Sequence, residues 1–196
     1  MARKLKRSLP GDEGARLGSA GQGATDKKIA RMIRVDHAGE YGARRIYQGQ
    51  LKVLGDDPEL RETLEHMAEQ EDVHLAYFED QIVNRRIRPT ALQPLWHVAG
   101  YLLGYGTAKI GPEAAMACTV AVEDVISEHY GNQLDALTDV ESEQELREHI
   151  AKFKAEEEEH HDIGLEHDAE LAPLYRVLTG AIKTGSRLAI KVAERI

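Results

Sequence analysis

The sequence has only one cysteine, Cys118, among its 196 residues. A lone thiol cannot form an intrachain disulfide, and it cannot supply the several thiolates of a structural zinc cluster. The fold therefore has to be stabilised by packing, and a reducing compartment is the expected location. Cys118 lies among alanine and methionine residues, where we expect it to be a small core residue.

Long apolar runs are also missing. The most apolar segment, residues 92–110, is interrupted by Pro94, Lys109 and three glycines, so it falls short of the roughly 18 apolar residues typical of a transmembrane helix. Residues 1–7 are basic, but polar residues follow them, so we expect no secretory signal peptide. These absences predict a protein that is soluble or lies on a membrane without crossing it.

An excess of positive charge is absent as well. The 34 acidic residues outnumber the 25 lysine and arginine residues, and the formal net charge is −9. A negative chain is repelled by nucleic-acid phosphates, so nucleic acid is not an expected partner.

What the chain does contain favours helices. Ala, Leu, Glu and Arg are plentiful, aromatic residues make up 5%, and no segment shows sustained strand alternation. Residues 1–24, rich in Gly, Ser and charge, predict a disordered N-terminal tail, and residues 25–196 predict one all-α domain. Proline, glycine and capping residues in that domain predict six helices. The third is entered between Pro89 and Pro94 and ends near Gly111, and the others lie at about residues 26–54, 57–86, 112–137, 142–172 and 174–196.

Four of these helices, the first, second, fourth and fifth, carry an apolar stripe with alternating steps of three and four residues. Acidic and imidazole side chains interrupt every stripe. The interrupting residues are Glu40 in the first helix, Glu71 and His74 in the second, Glu123 in the fourth, and Glu157 and His160 in the fifth.

An internal repeat relates the two halves of the chain. Four residues of the first helix recur in the fourth at one constant offset: Ala38, Glu40, Tyr47 and Gln50 match Ala121, Glu123, Tyr130 and Gln133. Glu71 and His74 recur as Glu157 and His160 at an offset only slightly larger. The pattern predicts two helical hairpins, each supplying one Glu and one Glu-x-x-His.

Four carboxylates on buried faces need a positive partner. Burying one uncompensated carboxylate costs several kcal/mol, which a domain stabilised by about 5–15 kcal/mol cannot bear four times over. No lysine or arginine occupies the stripes. Two divalent cations would balance the four glutamates and leave the histidines as neutral ligands.

This arrangement of Glu and Glu-x-x-His on four helices is the one known from ferritin-like di-iron and di-manganese carboxylate bundles. The oxygen-rich, thiolate-free set suits iron or manganese better than copper or zinc. Each Glu-x-x-His is weak alone, and a third one, Glu158/His161, is turned about 100° off the stripe. We interpret Glu156, Glu158 and Glu159 as a solvated face.

Three segments of the sequence resemble the 5-demethoxyubiquinone hydroxylase family. They are residues 35–43 (VDHAGEYGA), 115–123 (AMACTVAVE) and 159–168 (EHHDIGLEHD), and the likeness extends from about Lys28 to the C-terminus. The resemblance implies two iron ions per chain and matches the six stripe residues to the iron ligands. It also implies a role in electron delivery for His129 and Tyr130, although packing alone would make Tyr130 a hydrogen-bonded core residue and His129 a surface one.

The resemblance further implies an O2-dependent di-iron monooxygenase of ubiquinone biosynthesis that hydroxylates the ring of a polyprenyl demethoxyubiquinol. Two other readings remain open at this stage. One is another ferritin-like di-metal protein, a ferroxidase or a manganese catalase, and the other is a non-catalytic lipid-binding subunit. Either reduced nicotinamide or the quinol could supply electrons. The chain has no Gly-x-Gly-x-x-Gly fingerprint, so we expect no dinucleotide-binding domain.

A polyprenyl substrate lies in the bilayer, so the enzyme is expected to be a peripheral membrane protein. Residues 92–105 and a cationic row on the last helix are the two candidate contact segments, and both could instead only cover the bundle. We therefore predict a ferritin-like four-helix bundle with two additional membrane-facing helices. The expected location is the cytoplasmic face of a bacterial inner membrane, or the matrix face of the inner mitochondrial membrane, with a lipid-binding accessory protein as a possible partner.

Overall fold

The computed structural model describes residues 20–195, and the regular structure of that part is entirely helical, which confirms the all-α prediction. The six α-helices, in chain order, are α1 (Ala20–Leu54), α2 (Pro58–Asn84), α3 (Gln93–Ile110), α4 (Pro112–Leu137), α5 (Gln144–Glu166) and α6 (Tyr175–Ala193). Single 3-10 turns at Glu141–Glu143 and Ala169–Leu171 precede and follow α5.

One predicted helix start was wrong. α1 begins at Ala20, so Asp26 lies exposed inside the helix and does not cap it. α5 begins within two residues of its predicted start, but the Ser-Glu-Gln-Glu segment at residues 142–145 does not form the capping box that it resembles, because residues 141–143 make a 3-10 turn without a side-chain cap. A capping residue favours a helix start but does not impose one when flanking residues can continue the helix. Most of the predicted tail, residues 1–24, lies outside the described residues.

Local chemistry explains the breaks that were predicted correctly. The Asp57 side chain accepts hydrogen bonds from the backbone N–H groups of Glu59 and Leu60, and Pro58 occupies the first turn of α2, where its missing N–H costs nothing. Between α3 and α4 the Gly111-Pro112 pair ends one helix and starts the next. One helix end was predicted wrongly: α5 ends at Glu166 and not near residue 172, because Asp168 adopts a left-handed backbone conformation.

Four helices, α1, α2, α4 and α5, form the bundle, with α1–α2 and α4–α5 as its two hairpins. Two apolar clusters fill it. The first cluster includes Ile33, Phe78, Tyr130, Ile150 and Phe153. The second includes Tyr47, Leu64, Met67, Met116 and Val120. On every bundle helix the glutamate that interrupts the apolar stripe lies between residues of the first cluster and residues of the second.

The remaining helices, α3 and α6, pack on the outside of the bundle. α3 lies mainly along α1, and α6 lies mainly along α4. α6 is bound there by two ion pairs, Lys183 with Asp124 and Arg187 with Glu128, each 2.7 Å long. The predicted cationic row consists of Lys183, Arg187, Lys191 and Arg195, and its first two residues therefore face α4. Within the described residues, no helix is long and apolar enough to cross a bilayer.

Glycine allows α3 to approach α1 closely. A Cβ atom added at Gly104 would overlap the carbonyl oxygen of Ile46, and one at Gly100 would come within 2.7 Å of the carbonyl oxygen of Gly42. We expect Gly104→Ala to lower the free energy of unfolding by about 1–3 kcal/mol, because backbone cannot move aside as a side chain can. Denaturant unfolding monitored by circular dichroism measures this difference.

A matched control lies two residues further along the same helix. A Cβ at Gly106 would meet nothing within 4 Å. Gly106→Ala should therefore stabilise the helix by roughly 0.5–1 kcal/mol through its better propensity. If both variants changed stability equally, close contact at Gly104 would not be the cause.

Candidate metal centre

The six stripe residues come together at the middle of the bundle, between the two apolar clusters. Each of them is at most 1% exposed to solvent. α1 contributes Glu40, α2 contributes Glu71 and His74, α4 contributes Glu123, and α5 contributes Glu157 and His160. The four helices thus carry four carboxylates and two imidazoles into a region without water access.

The facing atoms lie at distances suited to a shared cation. His74 Nδ1 lies 3.1 Å from Glu157 Oε1 and 3.5 Å from Glu40 Oε2. His160 Nδ1 lies 3.4 Å from both Glu71 Oε1 and Glu157 Oε2. The result is two overlapping groups of four residues whose ligand atoms are within 4.8 Å of one another, and Glu71 and Glu157 belong to both groups.

Most of the facing atoms have no hydrogen-bond partner. Six carboxylate oxygens and two imidazole nitrogens of the cluster are unpaired. They are Glu40 Oε2, Glu71 Oε1 and Oε2, His74 Nδ1, Glu123 Oε2, Glu157 Oε1 and Oε2, and His160 Nδ1. Buried polar atoms are normally paired, and each orphan costs about 1–3 kcal/mol or more. Their concentration in one place fits a site for cations.

Ionisation in the metal-free protein is strongly perturbed. Burial, followed by repulsion from neighbouring carboxylates, raises the pKa of Glu71 and of Glu123 well above the usual range. Burial opposes charge on His74, but the adjacent carboxylates of Glu157 and Glu40 raise its pKa to about 11. The pKa of Glu157 falls to about 2 despite its burial, because His160 and His74 flank it. Without cations, the cluster is neutralised by protons.

Two buried tyrosines each donate a hydrogen bond to a cluster glutamate on the other hairpin, so the two bonds are crossed. Tyr47 of α1 donates a hydrogen bond of 2.7 Å to Glu123 of α4, and Tyr130 of α4 donates one to Glu40 of α1. The crossing follows the internal repeat, since Tyr47 and Tyr130 are equivalent positions. Each tyrosine thereby ties the two hairpins together and orients one carboxylate.

The far nitrogen of each histidine is also held. His74 Nε2 lies 2.9 Å from Glu156 Oε2, and His160 Nε2 lies 2.7 Å from Gln70 Oε1. These bonds place a proton on Nε2 and make Nδ1 the ring nitrogen that faces the cluster. The prediction that Glu156 belongs to a solvated face is wrong, and Gln70 was not among the predicted site residues. Their position immediately before Glu157 and Glu71 in the repeat was the available signal.

His129 and Tyr130 do not share one environment. Tyr130 is buried and contacts the cluster through Glu40. The His129 side chain is 20% exposed, and its Nε2 lies 3.2 Å from Asp36 Oδ1, which also accepts a hydrogen bond of 2.6 Å from Gln133. Packing considerations alone would have placed His129 on the surface, which is wrong, because the Asp36 carboxylate reaches it from α1.

Comparisons with known proteins agree with this geometry. A family model described as ubiquinone biosynthesis protein COQ7 matches residues 27–193. A human protein named NADPH-dependent 3-demethoxyubiquinone 3-hydroxylase, mitochondrial, is 54% identical over 170 residues, which cover 86% of this chain and 78% of the relative. A Rhodospirillum rubrum 3-demethoxyubiquinol 3-hydroxylase is 54% identical over 168 residues, with the same coverage. A Saccharomyces cerevisiae 5-demethoxyubiquinone hydroxylase, mitochondrial, is 44% identical over 182 residues, again with 86% and 78% covered.

Proposed function

The chain belongs to the ubiquinone biosynthesis protein COQ7 family, and from this membership we propose that it hydroxylates the ring of a polyprenyl demethoxyubiquinol with O2, using two iron ions. It is an enzyme of the hydroxylase class. The observation that carries the proposal is the buried cluster of unpaired carboxylate and imidazole atoms.

Charge and donor type support two iron ions in this cluster. Four ionised glutamates balance two divalent cations, and neutral histidines add two nitrogen donors. Glu71 and Glu157 would serve both ions, since both belong to each group of ligand atoms. Glu40 with His74 would complete one half, and Glu123 with His160 the other. Ferrous iron held there would pass electrons to O2.

The net reaction balances with two electrons taken from a reductant, either reduced nicotinamide or the quinol. One oxygen atom of O2 is inserted into a ring C–H bond to give a hydroxyl group, and the other leaves as water after uptake of two protons and two electrons. The protein surrounds this chemistry with the two apolar clusters, which exclude water. Tyr47 and Tyr130 hold Glu123 and Glu40 in place.

His129 and Tyr130 are our candidates for electron delivery. Their ring centroids are 6.4 Å apart, and they connect a partly exposed position to Glu40 in the cluster. Asp36 and Gln133 fix the His129 ring from its other side. This path supports a route for electrons from the surface of α4 to the cluster.

The direct test is an isotope experiment. The purified chain is loaded anaerobically with ferrous iron, mixed with a short-chain demethoxyubiquinol and a chemical reductant, and exposed to ¹⁸O2. We expect one labelled oxygen in the new ring hydroxyl group. Consumption of ferrous iron or of peroxide without a hydroxylated quinol would contradict the proposal and favour a ferroxidase or a catalase.

We propose that α3 brings the enzyme to the membrane in which the substrate lies. Leu95, Val98 and Leu102 are 54%, 52% and 59% exposed and lie on one face of the helix, opposite the glycines that contact α1. A row of large exposed apolar side chains is typical of a membrane or protein contact. The location that follows is peripheral, on the cytoplasmic or matrix face of an inner membrane, and an accessory lipid-binding protein could share this surface.

Liposome flotation tests the membrane contact. Changing Leu95, Val98 and Leu102 together to serine should lower the fraction of protein bound to liposomes by about tenfold or more, because each buried aliphatic side chain contributes roughly 1.5–3 kcal/mol. The control changes Val73 and Val83 of α2, which are 55% and 73% exposed, to serine. Equal binding by the two variants would defeat the assignment to α3.

A further inference from the structure

The two histidines of the cluster are backed by chemically different groups. His74 Nε2 contacts a carboxylate, Glu156 Oε2, at 2.9 Å. His160 Nε2 contacts an amide oxygen, Gln70 Oε1, at 2.7 Å. Both contacts run between α2 and α5, and both histidine side chains are fully buried.

The internal repeat makes this difference a matched comparison. Gln70 directly precedes Glu71, and Glu156 directly precedes Glu157, so the two backing residues occupy equivalent positions of the two hairpins. The surrounding geometry is the same in kind, because each backing side chain reaches across to the histidine of the other hairpin. What differs is the charge of the acceptor.

The Glu156 carboxylate is only weakly offset by the cation beside it. Its side chain is 20% exposed, and its second oxygen lies 3.3 Å from Lys152 Nζ. The Lys152 side chain is 60% exposed, and an exposed pair of this kind is weakened by solvent. His74, in contrast, is fully buried, so its hydrogen bond to Glu156 is little screened.

A charged acceptor changes the histidine as a ligand. Hydrogen bonds to a carboxylate are roughly twice as strong as bonds to a neutral oxygen, and they raise the basicity of the opposite ring nitrogen. Groups in this position typically change metal affinity by about 10–100-fold. The backing residues therefore act on the metal through the histidines, as positioning residues.

We propose that Glu156 and Gln70 make the two halves of the centre unequal, so that the half containing His74 and Glu40 binds a divalent cation more tightly than the half containing His160 and Glu123. This inference rests on the proposed function, because it assumes that the cluster binds two cations. It assigns a tight and a weak position to a centre whose coordinating residues are otherwise paired by the repeat.

Manganese titration of the metal-free full chain tests the inference without any measurement of activity. The paramagnetic resonance signal of free Mn²⁺ reports how much of the ion is bound. Two cations that share Glu71 and Glu157 repel each other, so two binding steps alone decide nothing. The test is therefore how the Mn²⁺ affinity of each binding step changes when a backing residue is substituted.

We expect Glu156→Gln to weaken the tighter step about tenfold and to leave the weaker step within about twofold. Gln70→Glu should tighten the weaker step about tenfold, a gain that misfolding cannot produce. Glu159→Gln is the control, because Glu159 is an exposed carboxylate on the same helix and contacts neither ligand histidine.

Two results would overturn the inference. One is an unchanged weaker step in Gln70→Glu, and the other is an equal weakening of both steps in Glu156→Gln. A wild-type chain that binds no Mn²⁺ would instead overturn the proposed function, and this inference with it. The two failures are thus distinguishable in one experiment.

Discussion

Replacing Glu157 by glutamine should lower the rate of quinol hydroxylation by more than about 100-fold and should reduce metal uptake. Glu157 faces both histidines and belongs to both groups of ligand atoms. An amide keeps the size of the side chain but removes the negative charge and one of the two strong oxygen donors. Even residues that only support a ligand change affinity or activity by about 10–100-fold, so the loss of a shared ligand should exceed that range.

Glu159→Gln is the matched control for this variant. Glu159 is exposed, two residues away on the same helix, and should retain activity within about twofold. Circular dichroism should show similar helix content in both variants, because the core clusters above and below the centre are untouched. A fully active Glu157→Gln enzyme, or a Glu159→Gln enzyme that is equally impaired, would refute the assigned ligand set.

Metal removal should make the stability of the protein depend on pH with a negative slope. Between pH 5 and 8 the raised pKa values of Glu71 and Glu123 mean that the folded chain retains protons that the unfolded chain releases. His74 acts in the same direction above pH 6.5, since its folded pKa is about 11. Stability therefore falls as pH rises through this window.

The other groups with shifted pKa values do not reverse this sign. Glu157, with a pKa lowered to about 2, contributes stability that is present above its unfolded value of 4.5 and is lost only at more acidic pH. Burial lowers the pKa of His37, which gives a contribution of opposite sign near pH 6.5. Burial raises the pKa of Asp36 and opposes charge on His129, but the Asp36 carboxylate raises the pKa of His129, so both groups add to the negative slope. One opposing group against five leaves the slope negative.

Cations should reverse this behaviour. They bind deprotonated carboxylates and neutral histidines, so their effect grows with pH. An ion at about 100 times its dissociation constant adds about 2.7 kcal/mol, and two ions should raise Tm by about 10–20 °C in a chain of this size. Thermal unfolding with chelator and with ferrous iron or Mn²⁺, at pH 5, 6.5 and 8, measures both slopes. Two results would contradict this explanation of stability by the charges of the cluster. One is a metal-free Tm that rises with pH, and the other is a Tm at pH 8 that is unchanged when metal is added.

The helices and the six cluster residues were predictable because they follow from periodicity. A carboxylate in an apolar stripe, such as Glu123 between Val120 and Ile126, interrupts the periodic pattern of its helix, and this interruption is visible in the sequence alone. The repeat adds the pairing of the halves. Each of these patterns lies within a single helix, so it does not depend on how the neighbouring helices pack.

The backing contacts were not predictable in the same way. Glu156 is one position off the stripe, in an acidic run, and only the approach of α2 brings its carboxylate to His74. The bond between His129 and Asp36 likewise depends on how α1 and α4 face each other. The rotation of one helix about its axis relative to its neighbour is set by packing, and it cannot be deduced from a single sequence.

The joining of both hairpins in one chain has a consequence for the chemistry of the centre. A twofold dimer of identical hairpins would be obliged to place the same residue behind both histidines. Covalent connection through α3 removes that obligation, so one hairpin carries Gln70 and the other Glu156. It also makes assembly of the two halves independent of protein concentration. A repeated unit without exact symmetry can thus place a carboxylate behind one histidine and an amide behind the other, which no symmetric pair of half-length chains could encode.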